Sequence, residues 1–63
     1  MNEIDFETML YELLHELLQD GEAAPEIRRV QTFEEAGVLT NNRGLVVRTE
    51  DGREFQVSII QNR

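Results

Sequence analysis

His15 is the only histidine of the chain and the side chain best suited to acid–base or metal chemistry. Glu12, Glu16 and Gln19 lie within one helical turn of it, and a carboxylate beside a histidine can orient the ring as a base or a metal ligand. One histidine on an exposed helix face provides neither a closed ligand set nor a pocket, so we interpret His15 as a solvated surface residue. Ser58, the only serine, lies in a predicted strand with no base nearby, and we expect no catalytic role for it.

Two polar segments contain glycine, Asn41-Asn42-Arg43-Gly44 and Asp51-Gly52. Asp51-Gly52 has neither the glycine spacing of a phosphate loop nor the alternating oxygen ligands of a calcium loop. Asn41-Asn42-Arg43-Gly44 lacks a helix N-terminus to receive an anion, so both segments are predicted to be turns. The chain has no cysteine, which removes disulfides and thiolate metal sites. We therefore predict no catalytic residue, no metal site, no cofactor and no small-molecule substrate.

Charge is divided unevenly along the 63 residues, whose formal net charge is −7. Residues 1–26 contribute −8 and contain no basic residue, whereas residues 27–63 contribute +1 and contain all six arginines. A chain this acidic is unsuited to a sequence-independent grip on phosphate backbone. Arginines could gather on one sheet face, but an RNA-binding sheet also needs surface aromatics for stacking. The four arginines that could gather in this way are Arg28, Arg29, Arg43 and Arg48, and we predict that they do not bind nucleic acid directly.

The acidic half predicts one amphipathic helix over about residues 3–20, because its apolar residues recur at three- and four-residue steps. Asn2 is a suitable N-cap. Gly21 suits a left-handed C-terminal cap, and Pro25 prevents the helix from resuming. Residues 21–26 are therefore expected to form a linker.

The apolar stripe of this helix is wide. Its central residues cover an arc of roughly 140°, and three more residues extend the arc by about 80°. The apolar stripe of a helix that packs on a single sheet is typically little more than about 100° wide. One interpretation places Ile4 and Tyr11 at the rim, with the Tyr11 hydroxyl in water. The other is a second contact surface, for a homodimer or a partner groove, formed by Ile4, Tyr11, Leu14 and Leu18.

The opposite face of the helix is acidic, with Asp5, Glu12 and Glu16 as its carboxylates. It gains nothing from spaced ion pairs because the helix has no basic residue. Such a face is either simply solvated or a surface that attracts a basic partner.

The second half predicts a hairpin of two strands, 45–49 and 54–60. A two-residue loop would scatter its apolar residues over both faces, whereas a three-residue Glu50-Asp51-Gly52 loop with left-handed Gly52 gathers them on one. We therefore choose the three-residue loop, which pairs Val47 with Phe55, Leu45 with Val57 and Arg48 with Glu54.

A third strand is predicted over 27–33, and Thr32 to Gly37 reads as either a bulge or one helical turn with capping-box spacing. Residues 38–40 are expected to resume extended structure. The result is one small α+β domain over 1–63, with a helix packed on a three-stranded antiparallel meander (αβββ) at about 27–61. The predicted core consists of Phe6, Met9, Leu10, Leu13, Leu17, Val30, Phe33, Leu45, Val47, Phe55, Val57 and Ile59.

No apolar run approaches the roughly 18–20 residues of a membrane span, and the first residues do not resemble a signal peptide. We expect a cytoplasmic, non-enzymatic protein without membrane contact. The wide stripe favours a protein-interaction module that acts as a homodimer or assembly subunit. The alternative is an acidic decoy that occupies the basic groove of a nucleic-acid-handling protein.

Overall fold

A computed structural model describes residues 1–19 and 26–63 of the chain. Its elements are α1 (Glu3–Gln19), β1 (Ile27–Thr32), α2 (Phe33–Ala36), β2 (Arg43–Thr49) and β3 (Glu54–Ile59). The strands form an antiparallel sheet in the order β1-β2-β3. This confirms the predicted αβββ fold. The predicted Gly21 cap, Pro25 and most of the predicted linker lie outside the described residues.

Helix α1 begins with the predicted cap. The Asn2 side-chain oxygen accepts a hydrogen bond from the Asp5 backbone N–H at 2.9 Å, which satisfies one of the free donors at a helix start. Glu3 and Asp5 in the first turn also favour the positive end of the helix dipole.

The β2–β3 hairpin confirms the three-residue loop. The observed partners are the three predicted ones, and Gly52 has φ 83°. The Thr49 N–H donates to the Arg53 carbonyl at 2.9 Å and closes the loop. Arg48 Nε lies 3.1 Å from Glu54 Oε1, so the predicted cross-strand ion pair is formed.

Between β1 and β2, the structure chooses the helical turn over the bulge. Thr32 and Glu35 form a capping box, and Gly37 caps the turn with φ 75°. Strand β1 therefore ends at Thr32, because the next residue already belongs to α2. Residues 38–40 were expected to be extended but have no strand assignment.

Strand β2 begins earlier than predicted, at Arg43, so Gly44 lies in the strand and not in a turn. A Cβ atom at this position would overlap the Phe33 ring and the Val57 carbonyl oxygen. Gly44 is thus needed for close packing, because α2 folds back over the start of β2.

The core is smaller than predicted. It consists of Val30, Phe33, Leu45, Val46 and Ile59. Val46, which is not among the predicted core residues, is buried in the central strand between Gln31 and Gln56 of the neighbouring strands. Six residues predicted to lie in the core are instead between 39% and 53% exposed: Phe6, Met9, Leu13, Leu17, Phe55 and Val57.

Candidate interaction surface

The rotation of α1 on the sheet is set by two polar side chains that reach backbone groups at the border of β1. Along a central antiparallel strand, the backbone N–H and C=O groups of successive residues point alternately to one neighbouring strand and to the other. Since Thr49 bonds toward β3, the backbone N–H of Gly44 points toward β1. Strand β1 has already ended at Thr32, and Glu7 Oε2 accepts this N–H at 3.0 Å. Glu7 is only 6% exposed and replaces the missing strand partner.

His15 holds the outer edge of β1. Its Nε2 lies 3.1 Å from the Val30 carbonyl oxygen, which can only accept, so Nε2 carries the proton in this contact. By the same alternation, this carbonyl points away from β2. The prediction of a solvated His15 is therefore wrong: the ring is half-buried and turned toward the sheet, away from Glu12 and Glu16.

A polar cluster joins the middle of α1 to α2. The Tyr11 and His15 rings lie 4.2 Å apart between centroids. Desolvation, followed by the charge and hydrogen bond of Glu35, raises the pKa of Tyr11 above its usual value. Backbone and hydroxyl hydrogen bonds from Thr32, with smaller contributions from Tyr11 and His15, lower the pKa of Glu35. Thr32 and Glu35 of this cluster cap α2, and His15 attaches α1 to β1.

The predicted contact surface is mostly turned toward the sheet. Tyr11, Leu14 and Leu18 are half-buried, on the same side of the helix as Glu7 and His15, and only Ile4 of that set is exposed. The excess apolar width of α1 is present, but its exposed part lies on the opposite flank. The polar strip at positions 7, 11 and 15, spaced by four residues, is the sequence signal that could have revealed this rotation.

The open flank of α1 adjoins β3. Phe6 and Leu10 line a groove together with Val57 and Ile59, which places this flank beside the third strand. Leu13 is 52% exposed and Phe55 is 53% exposed. We call the exposed apolar residues here the open apolar face; they are Phe6, Met9, Leu13 and Leu17 of α1 and Phe55 and Val57 of β3.

The charged residues form two further surfaces, and the acidic one borders Met9, because Asp5 and Glu12 lie four residues before it and three after it on α1. Asp5, Glu12 and Glu16 are exposed, as predicted for the acidic face. Arg28, Arg29 and Arg48 line one groove with Thr49, Gly52 and Glu54. Arg43 does not join them, because it lies 3.6 Å from Glu34 in an ion pair.

Within residues 1–19 and 26–63, no group of three or more histidine and acidic side chains is arranged to hold a metal ion. In the same part of the chain, no helix combines the length and apolar content needed to cross a membrane. In comparisons with protein families, curated proteins and solved structures, nothing matches this chain.

Proposed function

We propose that this protein is a non-enzymatic interaction module that acts as a homodimer or a subunit of a larger assembly. The observation that carries the proposal is the open apolar face. Many large apolar side chains exposed on one flank of a helix and on the strand beside it typically mark an interaction site. The absence of cysteine supports a reducing, cytoplasmic setting.

Energetics favour burial of this face. A chain of 63 residues has little core of its own, and each large apolar side chain removed from water contributes about 1.5–3 kcal/mol. Because these side chains are already about two-fifths exposed or more, a partner could cover them without rearranging the fold.

We expect the protein to dimerise in a concentration series followed by sedimentation equilibrium. The variant Leu13→Gln/Phe55→Thr should raise the dimer dissociation constant at least about tenfold, because each polar replacement removes apolar burial from both copies. Glutamine and threonine suit a helix and a strand respectively, so the monomer fold should persist.

The matched control is Leu39→Gln. Leu39 is fully exposed in the segment between α2 and β2, so its loss changes surface hydrophobicity without touching the open apolar face. Equal weakening by both variants would contradict the proposal, as would a wild-type protein that stays monomeric at every concentration.

A second function, that of an acidic decoy for a basic nucleic-acid-binding groove, is supported by a different observation. Asp5, Glu12 and Glu16 are exposed along a helix whose described residues include no basic side chain. Such a face could attract a basic groove through screened Coulomb interactions.

Salt separates the two functions. Wild-type protein immobilised in native lysate should capture nucleic-acid-handling proteins at about 50 mM salt and release them at about 0.5 M, where the Debye length falls to a few ångströms. Capture should fail for Asp5→Asn/Glu12→Gln/Glu16→Gln.

A control variant with the same net charge neutralises three exposed carboxylates elsewhere, Glu26→Gln/Glu34→Gln/Glu50→Gln, and should still capture them. Binding that survives high salt, or that both variants lose equally, would argue against a decoy. Dimerisation should respond to salt in the opposite sense, because two copies of net charge −7 repel each other less when screened.

A further inference from the structure

We infer that the partner is a second copy of this chain, joined by antiparallel pairing of the two β3 edges into a continuous six-stranded sheet. The inference rests on the proposed self-association and specifies its geometry. It follows from the unequal state of the two sheet edges, the identity of the free backbone groups on β3, and the position of the open apolar face.

The edge of β1 is obstructed. Its register with β2 shifts between Ile27 and Arg29, and such an irregularity spoils an edge for further pairing. His15 already occupies the outward carbonyl of Val30. Arg28 and Arg29 add charge, which also discourages the addition of a strand.

The edge of β3 is regular. Its pairing with β2 runs without a shift from Glu54 to Ile59. Among the described residues, no hydrogen bond reaches the backbone groups of residues 54–59 from any element other than β2. Of its six residues only Glu54 carries a charge. An edge of this kind is a template for strand addition.

Ladder alternation identifies the groups that would pair. Thr49 and Arg53 form the bonded pair that closes the hairpin, so residues 55, 57 and 59 bond to β2 and residues 54, 56 and 58 point outward. The open edge therefore presents the N–H and C=O groups of Glu54, Gln56 and Ser58.

One register uses all of these groups. A two-fold axis at Gln56 places Gln56 opposite its own copy and Glu54 opposite Ser58 of the second copy. No like charges then face each other, and Phe55 lies beside Val57 of the second copy, a favourable aromatic and β-branched pair. An axis at Glu54 would instead oppose two carboxylates and use only one end of the strand.

The same symmetry brings the open apolar faces together. An axis perpendicular to the sheet keeps both helices on the same side, and the flank of α1 that adjoins β3 turns toward the other copy. The seam then covers apolar side chains that the single chain leaves exposed, since Phe55 is 53% and Val57 is 42% exposed.

Gln56→Pro tests the edge directly. The Gln56 N–H points away from β2, so proline should leave the hairpin bonds intact while removing a central bond from each copy. We expect the dimer dissociation constant to rise at least about tenfold, since one backbone bond per copy is lost. Gln56→Ala keeps the N–H and should dimerise like the wild type.

Cysteine cross-linking tests the register and does not depend on the folding of the proline variant. Because the chain has no cysteine of its own, each introduced thiol is unique. Gln56→Cys should form a disulfide dimer on mild oxidation, since the Cα atoms of a bonded antiparallel pair lie about 5.5 Å apart, within disulfide range. Glu54→Cys and Ser58→Cys should cross-link well when mixed and poorly alone, because identical positions then lie more than about 13 Å apart.

The two levels of the proposal fail differently. A wild-type dimer whose mixed Glu54→Cys and Ser58→Cys variants do not cross-link preferentially would overturn β3 pairing and leave the homodimer standing. A monomer at every concentration would overturn both. A dimer weakened by Gln56→Pro but not by Gln56→Ala, with the expected cross-links, supports the geometry.

Discussion

Gly44→Ala is expected to lower the free energy of unfolding by about 1–3 kcal/mol, the usual range for overpacking a filled site. An added methyl would overlap both the Phe33 ring and the Val57 carbonyl oxygen. The total stability of a 63-residue domain is only about 3–9 kcal/mol. The loss should therefore appear as a fall in melting temperature of about 4–8 °C per kcal/mol, measured by circular dichroism.

Phe33→Leu supplies the control for this mechanism. In the Gly44→Ala background, the smaller side chain should relieve part of the overlap, so the double variant should be less destabilised than the sum of the single changes. The Val57 carbonyl is backbone and cannot be relieved in this way. Additive effects, or a Gly44→Ala protein as stable as the wild type, would show that α2 does not press on β2 as described.

The hairpin was predictable because its determinants are local. Loop length, the position of Gly52 and the alternation of apolar residues all lie within about fifteen residues, and only one register satisfies them together. The capping box of α2 is equally local, since Thr32 and Glu35 are three residues apart. The sequence nevertheless left two alternatives open for this element, a bulge or a helical turn, because neither residue determines whether the chain continues as a strand.

The rotation of α1 was not predictable from hydrophobicity. Its apolar arc is so wide that several rotations bury similar amounts of apolar surface. The structure is held instead by Glu7 and His15, whose partners are the Gly44 N–H and the Val30 carbonyl. Those two backbone groups have no partner within the sheet, because β1 ends before it reaches Gly44 and the Val30 carbonyl faces the outer edge. These are properties of the assembled sheet, so the sequence alone predicted a solvated His15.

The same rotation explains why the candidate surface moved. Anchored at the β1 border, α1 covers β1 and β2 and leaves β3 largely uncovered. The predicted strand partners of Phe55 and Val57 are therefore correct. Their predicted burial in the core is wrong, because both side chains are exposed. Of the residues expected to form the contact surface, Tyr11, Leu14 and Leu18 are half-buried and Ile4 is exposed, whereas the flank that contains Leu13 is the more exposed one. The sequence alone predicts that the apolar stripe of α1 is wider than the sheet can cover. It does not predict which flank of the stripe stays exposed.

Glu7→Leu is expected to lower the free energy of unfolding by about 1–3 kcal/mol, the penalty for leaving a buried hydrogen-bond donor without a partner. Leucine has a comparable size and favours a helix, so the change removes the acceptor of the Gly44 N–H with little loss of packing. Urea denaturation with a constant slope would measure the loss.

Hydrogen exchange at the Gly44 amide distinguishes this bond from a general packing effect. Glu7→Gln keeps a side-chain oxygen that can accept the same N–H, so its stability should stay within about 1 kcal/mol of the wild type. Under native conditions the Gly44 amide should exchange at least about tenfold faster in Glu7→Leu, because its only described acceptor is gone. In Glu7→Gln its protection should be retained. Slow exchange at Gly44 in Glu7→Leu would mean that another group accepts this N–H and that α1 is held by packing alone.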